Sequence, residues 1–474
     1  MGILLRHGLL LAISAYFALA PLARGAEPVF KAGAYAQDVT PAFPISVNGG
    51  MADRTAEAAH DKLHARCLVL DDGKTQLALV IVDSCMIPRE LADRAKQLAH
   101  AQTKIPVERM LIAATHTHTA PTVAGVFQSD PDQKYVKELA EKIAHGIAQA
   151  WGRRQPARIG WGVGKNPNQV FNRRWFVTDR ELITNPFGRA TDKVRMNPPA
   201  GSKALEKPAG PIDPDVSVLA VQTRDGKPLA LLANYSLHYV GGIPGKQVSA
   251  DYFGEFARVV ARKLDADDSF VGIMSNGTSG DINNINFRAA RAGKDPFVQV
   301  RFVAEDVANT ALAVYKGIRF HDHVTLAMAE AEIELGVRKP DRADFTRAAE
   351  FITLNGKKPL QGLEAVYARE TLLIDKFPDT VKLKLQAIRI GALGIVAIPC
   401  EVFVEIGLEL KKKSPFQPTF TIELANGYNG YLPTPEQHAL GGYETWRARS
   451  SYLKEDSSPT ITKTLFELLD KVKE

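Results

Sequence analysis

A chain of 474 residues, 45% hydrophobic and 24% charged, has the apolar material for a large core, as one elaborate domain or as two. Its net charge of +6 comes from scattered basic residues, and runs such as Lys411-Lys412-Lys413 read as solvated helix ends, so no nucleic-acid partner is expected. Three cysteines, Cys67, Cys85 and Cys400, allow one bridge at most and exclude a disulfide framework, and no CxxC spacing offers a thiolate metal site.

Arg6 precedes an apolar segment from Leu9 to Leu22, with small residues around Gly25. This reads as a secretory signal over residues 1–25, leaving residues 26–474 as one exported domain, periplasmic or secreted. No later segment is apolar enough to span a bilayer, so at most peripheral membrane contact is expected.

Residues 32–47 read as irregular, punctuated by Pro41 and Pro44. Two apolar runs, Ala65 to Leu70 and Gln76 to Val82, flank Asp71-Asp72-Gly73 as a hairpin. A helix follows from Pro88, then a strand at Met110–Ala114, then a helix marked by Val136, Leu139, Ile143 and Ile147. Residues 166–215 are rich in Pro, Gly and charge and weakly periodic, which predicts a functional lid or cleft wall. A second hairpin spans Val216 to Asn234 across Asp225-Gly226 and leads to His238. After a helix with Tyr252, Phe256 and Val260 comes a buried strand from Phe270 to Met274, ending in a glycine-rich polar loop, Ser275 to Asn284. The remainder predicts helices over residues 297–315, 345–354, 363–375, 402–411 and 461–472. Strands are predicted over residues 325–335, 381–390, 394–398 and 420–424. The alternation predicts an α/β (mixed α+β) fold, a single large catalytic domain with a mixed sheet flanked by helices; no internal repeat is apparent.

Four chemistry-bearing residues lie just past apolar strand ends: His116, His238, Glu401 and Tyr431. In open α/β sheets ligands bind outside those carboxyl ends. Two imidazoles, a carboxylate and a phenolate form an N/O set suited to Zn2+. Each has a plainer reading: His238 as a satisfied core histidine, Glu401 as a helix cap, Tyr431 as an aromatic plug. In Thr115-His116-Thr117-His118-Thr119, extended geometry would send both imidazoles to one face.

The order of motifs resembles the neutral (neutral/alkaline, non-lysosomal) ceramidase family. Residues 114–121 resemble its THTHSGP element, Phe171-Asn172-Arg173-Arg174 its asparagine–arginine element, and residues 234–238 its second metal-histidine strand. Ser275 to Asn284 resembles its SNxGDxSPN loop, Ile398-Pro399-Cys400-Glu401 its PGE, and Tyr431-Leu432-Pro433-Thr434 its YxTT. The resemblance implies a zinc amidase with His116, His238, Glu401 and Tyr431 as ligands. It also implies that His118, Arg173 and Tyr443 lie near the reacting carbonyl. Two departures stand out. Asn283 replaces the family's active-site serine, and the chain reaches Glu474 without the family's C-terminal immunoglobulin-like domain.

Because Asn283 cannot supply a nucleophile, attack by metal-bound water is predicted, with His118 or Asp281 handling the proton and Asn283 left as a hydrogen-bonding group. Tyr443 and Arg173 would stabilise the oxyanion or hold a substrate carboxylate. The expected substrate is a small-molecule amide or N-acyl lipid, in sphingolipid metabolism, with no protein partner implied. A different amide or ester, or a catalytically silent binding protein, is the alternative.

Overall fold

The computed structural model describes residues 29–290, 295–357 and 359–474; the segment read as an export signal lies outside them. Eight strands build the larger sheet: β1 (Lys31–Asp38), β2 (His64–Asp71), β3 (Gln76–Val82), β4 (Met110–Ala114), β5 (Gln155–Lys165), β6 (Asp215–Thr223), β7 (Pro228–Tyr235) and β8 (Val271–Asn276). Their order is β8-β7-β6-β5-β1-β2-β3-β4. The sheet is mixed, antiparallel in its middle, with parallel pairs β7–β8 and β3–β4 at its edges. A second sheet holds β9 (Leu326–Gly336), β10 (Thr380–Ile390), β11 (Leu393–Ile398) and β12 (Thr419–Glu423), in that order, with β11–β12 parallel.

The two sheets stack face to face. Leu68, Leu79, Leu111, Leu219 and Leu232 of the larger sheet meet Ile388, Ile395, Phe420 and Ile422 of the smaller in one buried layer. Fully burying each such side chain stabilises by about 1.5–3 kcal/mol, so this layer is a principal source of cohesion. Helices cover the outer faces. Helices α1 (Arg89–Thr103) and α2 (Gln133–Gly152) pack on the β1–β4 half, and α3 (Asp251–Lys263) and α4 (Val298–Gly317) on the β5–β8 half. A helical hairpin, α5 (Arg342–Asn355) and α6 (Gly362–Asp375), lies aside, and α7 (Val404–Lys413) and α8 (Ser457–Lys473) cover the smaller sheet. The expected mixed α/β domain is present, with a second sheet that the strand pattern alone did not separate.

Two expectations change. Residues 32–47, read as irregular, include β1 at the centre of the larger sheet. Small residues make it possible: a Cβ at Gly33 would stand 2.2 Å from the Ala150 carbonyl oxygen, so the end of α2 rests directly on the strand. Strand β5 was not anticipated, because Gly160, Gly162 and Gly164 weaken any strand signal. Those glycines share one face, and a Cβ at each would meet Ile318 or Val314 at 2.4, 2.8 and 2.7 Å respectively, so they form the groove in which α4 lies.

The topology also contains a repetition. An antiparallel hairpin, a helix and a strand parallel to the second hairpin strand occur as β2-β3-α1-β4, as β6-β7-α3-β8 and as β10-β11-α7-β12. The carboxyl ends of the first and third units are joined where Asn426 N donates to the Ile112 carbonyl (2.7 Å). The second and third are joined where Asn234 Nδ2 donates to the Thr421 carbonyl (3.0 Å). Ligands delivered by three distant sequence segments therefore meet at one place.

Candidate metal centre

His116 follows β4 with a left-handed backbone, φ 73°, a conformation a non-glycine residue adopts at some cost. Its backbone N–H donates to the Ser84 carbonyl (2.9 Å) and its Nδ1–H to the Cys85 carbonyl (2.7 Å). His238, past β7, donates Nδ1–H to the Ser279 carbonyl (3.1 Å). Each of these bonds puts a ring proton on Nδ1, so that in the neutral ring Nε2 is a bare lone pair. The two Nε2 atoms face each other at 3.0 Å.

Glu401, past β11, brings Oε2 to 3.3 Å from His116 Nε2 and 3.9 Å from His238 Nε2. Its Oε1 accepts from the Tyr428 hydroxyl (2.9 Å), while buried Oε2 has no hydrogen-bond partner among the described residues. His118 Nε2 reaches the same point, 3.1 Å from His116 Nε2. Two lone pairs and a carboxylate oxygen cannot share a buried pocket without a positive charge among them. Burial lowers His118 and His238, reinforced by repulsion from His116, so both are neutral imidazoles. Burial acts the same way on His116, but Glu401 outweighs it and raises that group above the usual imidazole range. The cluster calls for one central cation, and a metal ion fits it; His116, His238 and Glu401 offer their donor atoms within 4.8 Å of one another.

Tyr431 is opposite Glu401 in a short parallel bridge. Its hydroxyl accepts from Arg173 Nη2 (3.0 Å), and burial raises it well above the ordinary phenol range. A phenolate here therefore requires a dication beside it. Arg173 is fixed in turn: Nε donates to Glu444 Oε1 (2.8 Å), whose other oxygen accepts from Arg174 Nη1 (2.7 Å). All three charges are buried and paired.

Above the centre opens a cavity of about 300 Å³. His118, His238, Arg173, Tyr431 and Tyr443 line it, with apolar walls that include Met51, Phe127, Leu182, Val194, Leu363 and Trp446. The stretch read as a lid or cleft wall is a wall: short strands Arg174–Val177, Val194–Met196 and Leu205–Pro208 form a small sheet within it.

The predicted residues therefore divide. His116, His118, His238, Glu401, Tyr431, Arg173 and Tyr443 come together. Asp281 does not reach the cavity. Its carboxyl accepts from Val404 N at the start of α7 (2.9 Å) and from Asn172 Nδ2 (2.8 Å), and burial pushes its pKa up to about 7. Asn283 lies outside the cavity lining, donating from Nδ2 to Asn197 Oδ1 at the rim (3.0 Å). Sequence reasoning missed Tyr239, stacked on His118 with centroids 3.7 Å apart. It also missed Tyr428, Glu444 and the buried Ser279–Glu423 bond (2.6 Å) behind His238. Each of the first three sits within three residues of a predicted one, the only signal available. The three cysteines are unpaired and buried.

The larger and smaller sheets with their covering helices make up the fold of neutral ceramidase. A neutral ceramidase of Pseudomonas aeruginosa is 22% identical over 85% of this chain and 68% of its own length, and the chain is its homologue. The crystal structure of neutral ceramidase from Pseudomonas aeruginosa superposes with a TM-score of 0.70, covering 93% of this chain and 74% of that one at 19% identity. A ceramidase complexed with C2 gives 0.70 over 94% and 75% at 16% identity. No family model matches the chain.

Proposed function

We propose that this chain is an exported, zinc-dependent hydrolase of an amide bond in an N-acyl lipid. The observation that carries the reading is the convergence of His116, His238 and Glu401, with unshared donor atoms, at the base of an apolar cavity. Homology to neutral ceramidase supports the amide. Export rests on the sequence of residues 1–25 alone.

Zinc held by His116, His238, Glu401 and Tyr431 would supply a Lewis acid and a water with a pKa near about 7. Neutral His118 takes a proton on Nε2 from the attacking water and returns it to the leaving nitrogen. Arg173, braced by Glu444, and Tyr443 donate to the carbonyl oxygen as it gains charge. Among the described residues no serine, threonine or cysteine lines this cavity, which favours water as nucleophile. The apolar walls take the acyl chain.

The test is metal analysis of the purified protein, expected to give about one zinc per chain, followed by a panel of N-acyl amides and esters. A zinc-loaded protein that turned over none of them would sink the reading.

A further inference from the structure

We propose that a second cavity, on the other side of His118, binds a carboxylate carried by the amine half of the substrate, and that Arg54 recognises it. The proposal rests on the amide-hydrolase reading only for which bond is cut.

This cavity, of about 370 Å³, shares Gly49, Gly50, Met51, His118 and Tyr239 with the apolar one, so the two form a single cleft divided at the His118–Tyr239 stack. The lining changes across that divide. One side is largely hydrocarbon; the other has Arg54, Thr119, Asp251 and glycine backbone. Gly49, Gly241 and Gly242 all have positive φ (106°, 76° and 74°), and a Cβ at Gly49 would stand 2.6 Å from His118 Cβ, so the wall is kept low beside the imidazole.

Arg54 is on the short strand Arg54–Ala56 and donates from Nη2 to the His118 carbonyl (2.7 Å). That bond ties the guanidinium to the residue that faces the reacting centre. Arg66, Arg154, Arg173 and Arg174 each hold a carboxylate; Arg54 has none within ion-pair distance among the described residues. Asp251 in the same wall is not its partner. Its Oδ1 accepts from Val240 N (3.1 Å) and Tyr252 N (2.6 Å), and its Oδ2 from Gly241 N (2.9 Å). A tethered guanidinium with free donors in a half-enclosed pocket is a receptor for a planar anion. The carboxylate of Asp251 nearby favours a monoanion over a phosphate dianion. Because Arg54 is anchored through His118, across the divide from the apolar walls, the anion belongs on the amine half of the substrate, as in an N-acyl amino acid.

The experiment compares N-lauroylglycine with the neutral N-lauroylglycinamide, by calorimetric binding and by kcat/KM, on the zinc-loaded wild type, Arg54→Met and Arg54→Lys. The wild type is expected to bind the acid at least about tenfold more tightly, the scale of a charge-assisted pair. Arg54→Met should abolish that ratio and Arg54→Lys restore part of it. Equal binding of both ligands by the wild type, a preference that survives Arg54→Met, or an equal loss for both ligands in Arg54→Met overturns the proposal. Preferential binding without cleavage of either ligand would support the subsite and overturn the hydrolase reading. Cleavage of both without preference would do the reverse.

Discussion

The floor of the cleft and its walls are built on different principles. The floor is polar, buried and braced from behind: Glu401 is held by Tyr428, Arg173 by Glu444, His116 by the Cys85 carbonyl and His238 by Ser279. Every group there depends on another, as expected where an unpaired buried charge costs several kcal/mol. The walls are largely hydrocarbon, from the small sheet, neighbouring loops and the start of α6, with Leu363 itself 40% exposed. A floor of this kind specifies chemistry, whereas walls of this kind specify size and shape.

The largest expected effect breaks the floor outright. His116→Ala and His238→Ala should each bind well under one zinc per chain and lose turnover together with the metal; retention of full zinc in either variant would remove that residue from the ligand set. His118→Ala should separate the two roles of the floor, keeping its zinc while kcat falls by about 10²–10⁴. If zinc were lost as well, His118 would be a ligand. Arg173→Met comes next, with a loss of about 10²–10³ in kcat if the guanidinium stabilises the oxyanion. The walls should respond differently. Leu182→Ala or Leu363→Ala should raise KM for long acyl chains by about 10-fold or more, the worth of a few lost methylenes, with kcat and zinc unaltered. An equal effect on short-chain substrates would mean that these residues support the floor.

The smallest effect concerns Asp281, behind the floor. Its folded pKa of about 7 lies above the ordinary aspartate value of 3.8. Such a group contributes its stability in full below the ordinary value and loses it as pH rises through the folded one, because the native state then holds more protons than the unfolded. Thermal melts should decline from pH 4.5 to 7.5 in the wild type, by up to about 1 kcal/mol per pH unit from this residue, and less steeply in Asp281→Asn. Unchanged turnover in that variant is also expected. A lost reaction would return Asp281 to the chemistry.

The same division explains what could be read in the sequence. His116, His238 and Glu401 were legible because each follows an apolar strand, and the strand ends converge whatever the details of packing. Asp281 read as catalytic because its loop resembles the family's SNxGDxSPN element; nothing in the loop says that its carboxyl turns inward to Val404 N. Asn283 was placed by motif register, which is blind to the bond that holds it at the rim. The walls were legible only as an unassigned stretch, since Val194 acquires its meaning from a small sheet, and Leu182 from the short turn Arg180–Ile183 beside it, that no periodicity announces. Strands β1 and β5 were obscured by alanine and glycine, chosen by the helices that lie on them. The threefold topological repetition left no trace either, because each unit has a different loop at its carboxyl end.

That repetition has a consequence for how the protein is assembled. His116 and His238 are separated by 122 residues and arrive on different units, with Glu401 on the third. No single unit can hold the ion, so the metal site comes into being only when the last long-range contacts close, and contacts of such sequence separation form slowly. A metal ion bound there would act as a rivet through all three units, binding only the native arrangement and so resisting its opening in proportion to its own affinity. Stripping the ion should therefore expose the junctions between units to proteases well before it disturbs the sheets themselves.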